Sequence, residues 1–137
     1  MNNVIVADSS GIISLLLKTD QNNERAVSIG QHFQNKPSTV IIPEDIFSES
    51  INILGKKFDH EKALETALFI LDSKEFLIEN TTDSLRRQAL KKFELASQSI
   101  SFTDCIVMVF ADHFNTKEIF GFDKVFSQNG YILPISS

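Results

Sequence analysis

The chain has 137 residues, 42% of them hydrophobic and 23% charged, which suits one domain able to bury its own core. Its formal net charge of −5 argues against a surface built to coat a polyanion, although carboxylates gathered at one metal site would account for much of that charge. A single cysteine, Cys105, excludes an internal disulfide framework; Met1-Asn2-Asn3 lacks the positive charge of a secretory leader, and no apolar run reaches membrane-spanning length, so a cytoplasmic location is expected.

Val4 to Ala7 is a short apolar run rich in β-branched residues and reads as a buried strand that ends on Asp8. Ser9-Ser10-Gly11 stops it, and Ile12 to Lys18 reads as a first helix. Asp20 to Asn23 is a polar break before a second helix, Glu24 to Phe33. Thr39 to Ile42 is a second buried strand, and Pro43 suits the first turn of a helix over Glu44 to Phe58. That helix carries Phe47, Ile51, Leu54 and Phe58 on one stripe and Ile46 and Ile53 on another. A helix over His60 to Asp72 follows, with Ala63, Leu64, Ala67, Leu68 and Leu71 expected inward. Phe76 to Ile78 is a third strand, and Glu79-Asn80-Thr81-Thr82 offers capping chemistry for a helix over Asp83 to Ala96. In that helix Leu85, Ala89, Phe93 and Ala96 face inward, and Arg86, Arg87, Lys91 and Lys92 outward. Ser101 starts a strongly apolar helix, Phe102 to Phe114; Glu118 to Phe120 and Tyr131 to Leu133 are strands joined by a loop with a helical turn. Strands separated by helical crossovers imply a single three-layer α/β/α sandwich around a largely parallel sheet of about five strands.

In such sheets ligands bind beyond the carboxyl ends of the strands, where Asp8 stands. Asp8 is also a good helix cap, so a functional carboxylate and a capping one are equally open from this stretch alone. Other acids recur at comparable places. Glu49 shares a helix flank with Ile46 and Ile53, Asp104 heads the apolar helix, and Asp123 follows the fourth strand by three residues. Ser101 to Asp104 also has the spacing of a capping box, and Asp123 suits a turn. Glu44 and Asp45 lie in a first helical turn, where the dipole alone favours acids. Converging carboxylates repel unless a cation sits among them, and hard oxygen ligands suit Mg²⁺ or Mn²⁺.

Val6-Ala7-Asp8-Ser9-Ser10, the Glu49 segment Ser48 to Leu54, Ser101-Phe102-Thr103-Asp104 and the late Phe122 to Phe126 stand in an order that resembles the PIN-domain nucleases. The resemblance spans essentially the whole chain and is strongest to the small single-domain toxins of prokaryotic toxin–antitoxin pairs. It implies one domain over residues 1–137 and an Mg²⁺- or Mn²⁺-dependent endoribonuclease that hydrolyses RNA phosphodiester bonds. It also implies an antitoxin partner and a homodimer. By this resemblance Asp8, Glu49, Asp104 and Asp123 are the metal-binding acids and Ser10 is a hydroxyl that orients Asp8; Lys124, beside Asp123, is then a candidate RNA contact. One position departs from the pattern: Gly121 stands where many members carry Thr or Ser, two residues before the last acid.

Two other classes share this pattern. An inactive binding or regulatory module would use the same acids as caps and solubility charges, and a phosphoacceptor domain would want a better lysine pattern than Lys124 provides. A PIN nuclease of RNA processing, outside any toxin system, is a further alternative. His32, His60 and His113 are too scattered for a zinc site, and Cys105 reads as a core thiol. The glycines form no phosphate-binding loop. Lys56, Lys57 and the Arg86–Lys92 cluster are exposed cations within reach of RNA in principle. The 12 phenylalanines build the core, with some available for a dimer seam or an antitoxin groove.

Overall fold

The computed structural model describes residues 3–134. Met1 and Asn2, part of the N-terminal stretch read above, lie outside the described residues. Strands β1 (Asn3–Ala7), β2 (Ser38–Pro43), β3 (Phe76–Glu79) and β4 (Ile119–Phe120) form one parallel sheet in the order β3-β2-β1-β4. Between β1 and β2 run α1 (Ser9–Leu16) and α2 (Asn23–Asn35); between β2 and β3 run α3 (Glu44–Lys57) and α4 (His60–Asp72). The chain then returns past the sheet through α5 (Asp83–Leu95) and α6 (Phe102–His113) to place β4 beside β1, and α7 (Lys124–Gln128) follows. Right-handed crossovers that step outward and then back put α1–α4 on one face and α5–α6 on the other, giving three layers.

The core follows from the apolar runs. Ile5, Val6, Ala7, Val40, Ile41 and Ile42 are buried in the central strands, and Cys105 to Ala111 of α6 are buried without interruption. Each fully buried Ile, Val or Phe stabilises by about 1.5–3 kcal/mol before entropy is counted. Cys105 is the core thiol expected. Phe33 of α2 meets Phe120 of β4 edge to face, with ring centres 5.5 Å apart.

Several expectations need correction. The fifth strand is reduced to an isolated parallel bridge between Glu118 and Ile132. Tyr131 anchors this segment instead, being buried with its hydroxyl donating to the Asp112 carboxylate of α6 at 2.8 Å, while Ile132 stays exposed. Burial pushes the Tyr131 phenol well above its usual range, and Asp112 adds to the effect. Helix α1 starts at Ser9, three residues earlier than expected, because Asp8 caps it; Ser9-Ser10-Gly11 is its first turn and not a break.

In α4 the buried face is Ala63, Thr66 and Ile70, whereas Leu64, Leu68 and Leu71 are exposed. The reason lies in α3, whose buried face includes Ser50 beside Ile46 and Leu54. Ser50 and Thr66 return their hydroxyls to their own helices, on Ile46 and Lys62 carbonyls at 2.7 and 2.9 Å. Small satisfied side chains let the two helices pack closely, and the leucine stripe faces out. Likewise Phe93 of α5 and Phe58 after α3, both expected inward, are 45% and 46% exposed.

Candidate metal centre

Asp8 is held at the carboxyl end of β1 by its neighbours on both sides. Its backbone N–H donates to the Phe120 carbonyl of β4 at 3.0 Å, and its own carbonyl accepts from Gly11 and Ile12 as α1 begins. The helix sits hard on β4: a Cβ at Gly11 would lie 2.0 Å from the Phe120 carbonyl oxygen, so only glycine allows this approach. The Asp8 side chain is 6% exposed and accepts from the Ser10 hydroxyl at 2.9 Å and, more weakly, from the Ser10 N–H at 3.4 Å. The Phe122 N–H in turn donates to the Ser10 Oγ at 2.9 Å. Ser10 therefore bridges two segments far apart in sequence. Its oxygen is occupied from the Phe122 side, which aims its proton at Asp8.

Burial pushes the Asp8 carboxyl up from 3.8 to about 6; the Ser10 and Ser9 donors oppose that rise, and the charge of Asp104 adds to it. Asp104 is thus the acid that shares the neighbourhood of Asp8. It simultaneously completes a capping box, with the Ser101 N–H on Asp104 Oδ2 and the Asp104 N–H on Ser101 Oγ, both at 3.0 Å. Among the described residues no lysine or arginine forms an ion pair with either acid. Both acids thus stand without a cationic partner where α1 and α6 begin.

Glu49 and Asp123 stand further out. Glu49, half-buried on α3, lines a cavity of about 440 Å³ together with Thr103, the residue before Asp104. Asp123 is exposed, caps α7 by accepting from the Val125 N–H at 3.1 Å, and lines a second cavity of about 470 Å³ beside Ser9 and Ser10. Ile53 and Lys57 of α3 line both cavities, so the two adjoin. Among the described residues no group of three or more His, Cys, Asp or Glu side chains converges closely enough to hold an ion. The charge of Asp104 reaches Asp8, whereas Glu49 and Asp123 line the two adjoining cavities.

That donor set still fits one particular class of ion. Mg²⁺ usually keeps several waters and is held by one or two carboxylates plus substrate phosphates. A buried carboxylate and a like-charged neighbour without a cationic side chain meet this requirement, and they suit Mn²⁺ for the same reason.

The Gly121 departure has a steric basis. A Cβ at this position would lie 2.8 Å from the Asp8 Cβ and 3.3 Å from its Oδ2, so no larger residue fits without displacing Asp8. The hydroxyl beside Asp8 comes from Ser10 instead. Lys124 lines a third cavity with Arg25, Phe122 and Asp123.

Of the other cations, three of the four on α5 are engaged, whereas Lys56 and Lys57 form no ion pair among the described residues. Arg86 donates to the Thr81 carbonyl at 2.9 Å, Arg87 pairs with Asp83 at 2.8 Å, and Lys92 pairs with Asp112 at 3.3 Å. Glu44 and Asp45 do more than complement a dipole: their carboxylates take the Thr81 N–H at 2.9 Å and the Thr81 hydroxyl at 3.1 Å, pinning the start of α5. The sequence points to Phe122 only as the start of the Phe122 to Phe126 segment, not to its N–H. A backbone N–H carries no sequence signature, so only the aromatic beside Asp123 could have pointed there.

A solved structure with the same fold is that of VapC20 from Mycobacterium tuberculosis, described as a sarcin-ricin loop cleaving toxin. It superposes with a TM-score of 0.79 over 93% of this chain and 96% of that one, at 22% sequence identity. No curated protein matches the chain by sequence. The family model for the PIN domain matches residues 5–130. Because that match runs from β1 through α7 and takes in every helix of the sandwich, the chain belongs to the PIN-domain family.

Proposed function

We propose that this protein is a divalent-metal-dependent endoribonuclease, using Mg²⁺ or Mn²⁺, and that it is the toxin of a toxin–antitoxin pair. The observation that carries the reading is Asp8, a buried carboxylate held beside Asp104 with no cationic partner among the described residues. The sarcin-ricin loop cleavage ascribed to VapC20, a toxin on the same fold, supports RNA as the proposed substrate.

Asp8 and Asp104 are the residues that would hold the ion, and a bound divalent ion supplies Lewis acidity and a more acidic water. Ser10 keeps the Asp8 carboxylate in one orientation, because its hydroxyl is itself fixed by the Phe122 N–H. Glu49 and Asp123, lining the adjoining cavities, would orient or activate water beside that ion. Lys124 lies beside Asp123 in position to meet a phosphate. The leaving 3′ oxygen and the attacking water need no covalent partner from the chain, so no nucleophilic side chain is required.

The exposed Leu64, Leu68 and Leu71 of α4 form the apolar surface that best suits a second copy in a homodimer. A cavity of about 310 Å³ lined by Leu15, Val27, Phe33, Phe69 and Phe76 suits an apolar antitoxin segment. Among the described residues no helix is long and apolar enough to cross a membrane. A cytoplasmic site of action accords with an RNA substrate.

One observation favours a second reading, an inactive binding module: Asp8 and Asp123 are N-caps and Asp104 completes a capping box, so all three have structural work. Incubating the purified protein with a mixed RNA pool in Mn²⁺, Mg²⁺ and EDTA separates the two. Metal-dependent cuts that vanish in Asp8→Asn and Asp104→Asn establish the nuclease. Intact RNA in every metal, with no metal-induced thermal stabilisation, establishes the module.

A further inference from the structure

We infer that the cavity beside Asp123 is a subsite for one unstacked base of single-stranded RNA, with Phe58 and Phe122 as its aromatic platforms and Lys57 as its phosphate contact. The identity of this ligand rests on the nuclease reading; the shape and chemistry of the subsite do not. At about 470 Å³ the cavity is within the range of small-ligand sites and large enough for a nucleoside. It opens directly against Ser10 and Asp123, so a base lodged there has its phosphate at the acid edge.

Both rings line the cavity. Phe58 follows the last turn of α3 and is 46% exposed although bulky and apolar, a costly placement that core packing does not explain. Phe122 is fixed more firmly. Its N–H is held by Ser10 at 2.9 Å, Phe120 packs against it with ring centres 6.1 Å apart, and Arg25 stands 5.9 Å from its ring centre. Phe122 and Asp123 also line the neighbouring cavity that contains Arg25 and Lys124, so the ring divides the two. A fixed ring with a cation on one side and a cavity on the other is suited to stacking a base.

The aromatic rings select the occupant, since the charged side chains lining the cavity are Lys57 and the two acids Asp20 and Asp123. Lys57 lines the cavity, has no ion-pair partner among the described residues, and lies in the last turn of α3 next to Lys56. Asp20 is held by the Ser14 hydroxyl and the Asn22 N–H, which leaves Lys57 as the cation beside the rings for a nucleotide phosphate. Phe rings stack on any base, so the subsite selects unpaired nucleotides over duplex without demanding a sequence.

The test is binding in EDTA, where no cutting occurs, of a fluorescein-labelled 14-nucleotide unstructured RNA of mixed sequence, read by anisotropy. The same RNA annealed to its complement is the comparison. Wild type is expected to prefer the single strand; Phe58→Leu weakens that binding by about 5- to 100-fold, and Phe58→Tyr restores it. Lys57→Ala lowers the slope of log affinity against log salt by about 0.7. Phe69→Leu, an equally exposed aromatic away from this cavity, leaves binding unchanged. Circular dichroism on each variant excludes misfolding as the cause. Absence of single-strand binding, equal binding of duplex, or a Phe58→Leu protein that binds like wild type overturns the subsite. Parallel digestion of an RNA pool in Mn²⁺ keeps the two ideas separate. Cutting with Phe58→Leu unimpaired removes the subsite and leaves the nuclease; Phe58-dependent binding without cutting in any metal keeps the subsite and removes the nuclease.

Discussion

Replacing Asp8 by Asn is expected to abolish function and to make the metal-free protein more stable. In the folded state the Asp8 carboxyl is pushed up from 3.8 to about 6, chiefly by burial and further by Asp104. At about 1.36 kcal/mol per pH unit this corresponds to roughly 3 kcal/mol, the cost of keeping Asp8 ionised in the fold at neutral pH. The sign follows from proton binding. Between pH 4 and 6 the folded carboxyl keeps its proton while the unfolded one has lost it, so stability from this group falls as pH rises. The penalty is absent below about pH 4 and complete above about pH 6. Asparagine fits the same space, and its amide oxygen can accept from Ser10 as Asp8 does now. Urea unfolding in EDTA at pH 7.5 should therefore show Asp8→Asn more stable by about 2–3 kcal/mol, with a melting temperature higher by roughly 5–10 °C. The gap should close by pH 4, because protonated Asp and Asn are then equivalent, and contributions from all other groups cancel in the difference. Added Mn²⁺ should raise the melting temperature of wild type alone. An Asp8→Asn protein less stable than wild type at pH 7.5, or a gap indifferent to pH, would refute the account of Asp8 as an uncompensated buried charge.

The close approach at Gly121 leads to a second expectation: Gly121→Ala costs about 1–3 kcal/mol in denaturant unfolding and depresses RNA cleavage, since its Cβ must push Asp8 aside. Ser10→Ala, which removes the donor to Asp8 and the acceptor for Phe122, loses about 1–2 kcal/mol and most cleavage, while Ser10→Thr recovers both. Asp104 separates capping from chemistry: Asp104→Asn keeps an oxygen for the Ser101 N–H and unfolds near wild type but does not cut RNA, whereas Ser101→Ala loses about 1 kcal/mol and still cuts. On α4, Leu64→Glu with Leu68→Glu should convert a dimer to a monomer in sedimentation without loss of monomer stability, since both side chains are already exposed.

The layered fold was legible because β-branched runs at Val4–Ala7 and Thr39–Ile42 and the unbroken apolar stretch of α6 can be buried in few other ways. Helix α4 shows where that legibility ends. Its leucines make the stronger apolar stripe, yet Ala63 and Thr66 face inward, because what decides is the partner surface on α3 and not the hydrophobicity of α4 alone. The last strand was misjudged for a similar reason: Tyr131-Ile132-Leu133 has strand composition, but the bond from Tyr131 to Asp112 draws it onto α6. At the site, position relative to the sheet was readable and proximity was not. Asp8 caps α1 after β1, and Asp104 and Asp123 stand at the starts of α6 and α7, as their places in the sequence required. Only the structure shows that the charge of Asp104 reaches Asp8 while Glu49 and Asp123 line separate cavities, since that depends on how the helices pack.

The double duty of these acids bears on why the site can be metal-dependent at all. A cap places a carboxylate at a helix N-terminus, where backbone donors hold it in one rotamer at little cost, and that is also the position a hard cation can reach. Asp8 goes further, because Ser10, Gly11 and Gly121 let β4 and its following loop close over it until it is nearly out of solvent. Had a lysine followed it into the interior, the charge would be paired and the fold more stable, and nothing would remain for an ion to recover. The roughly 3 kcal/mol left unrecovered in the metal-free protein is instead available as differential affinity, since an ion that binds only the folded state stabilises it by that interaction. Instability of the empty carboxylate pair and affinity for a divalent ion are thus two expressions of the same burial.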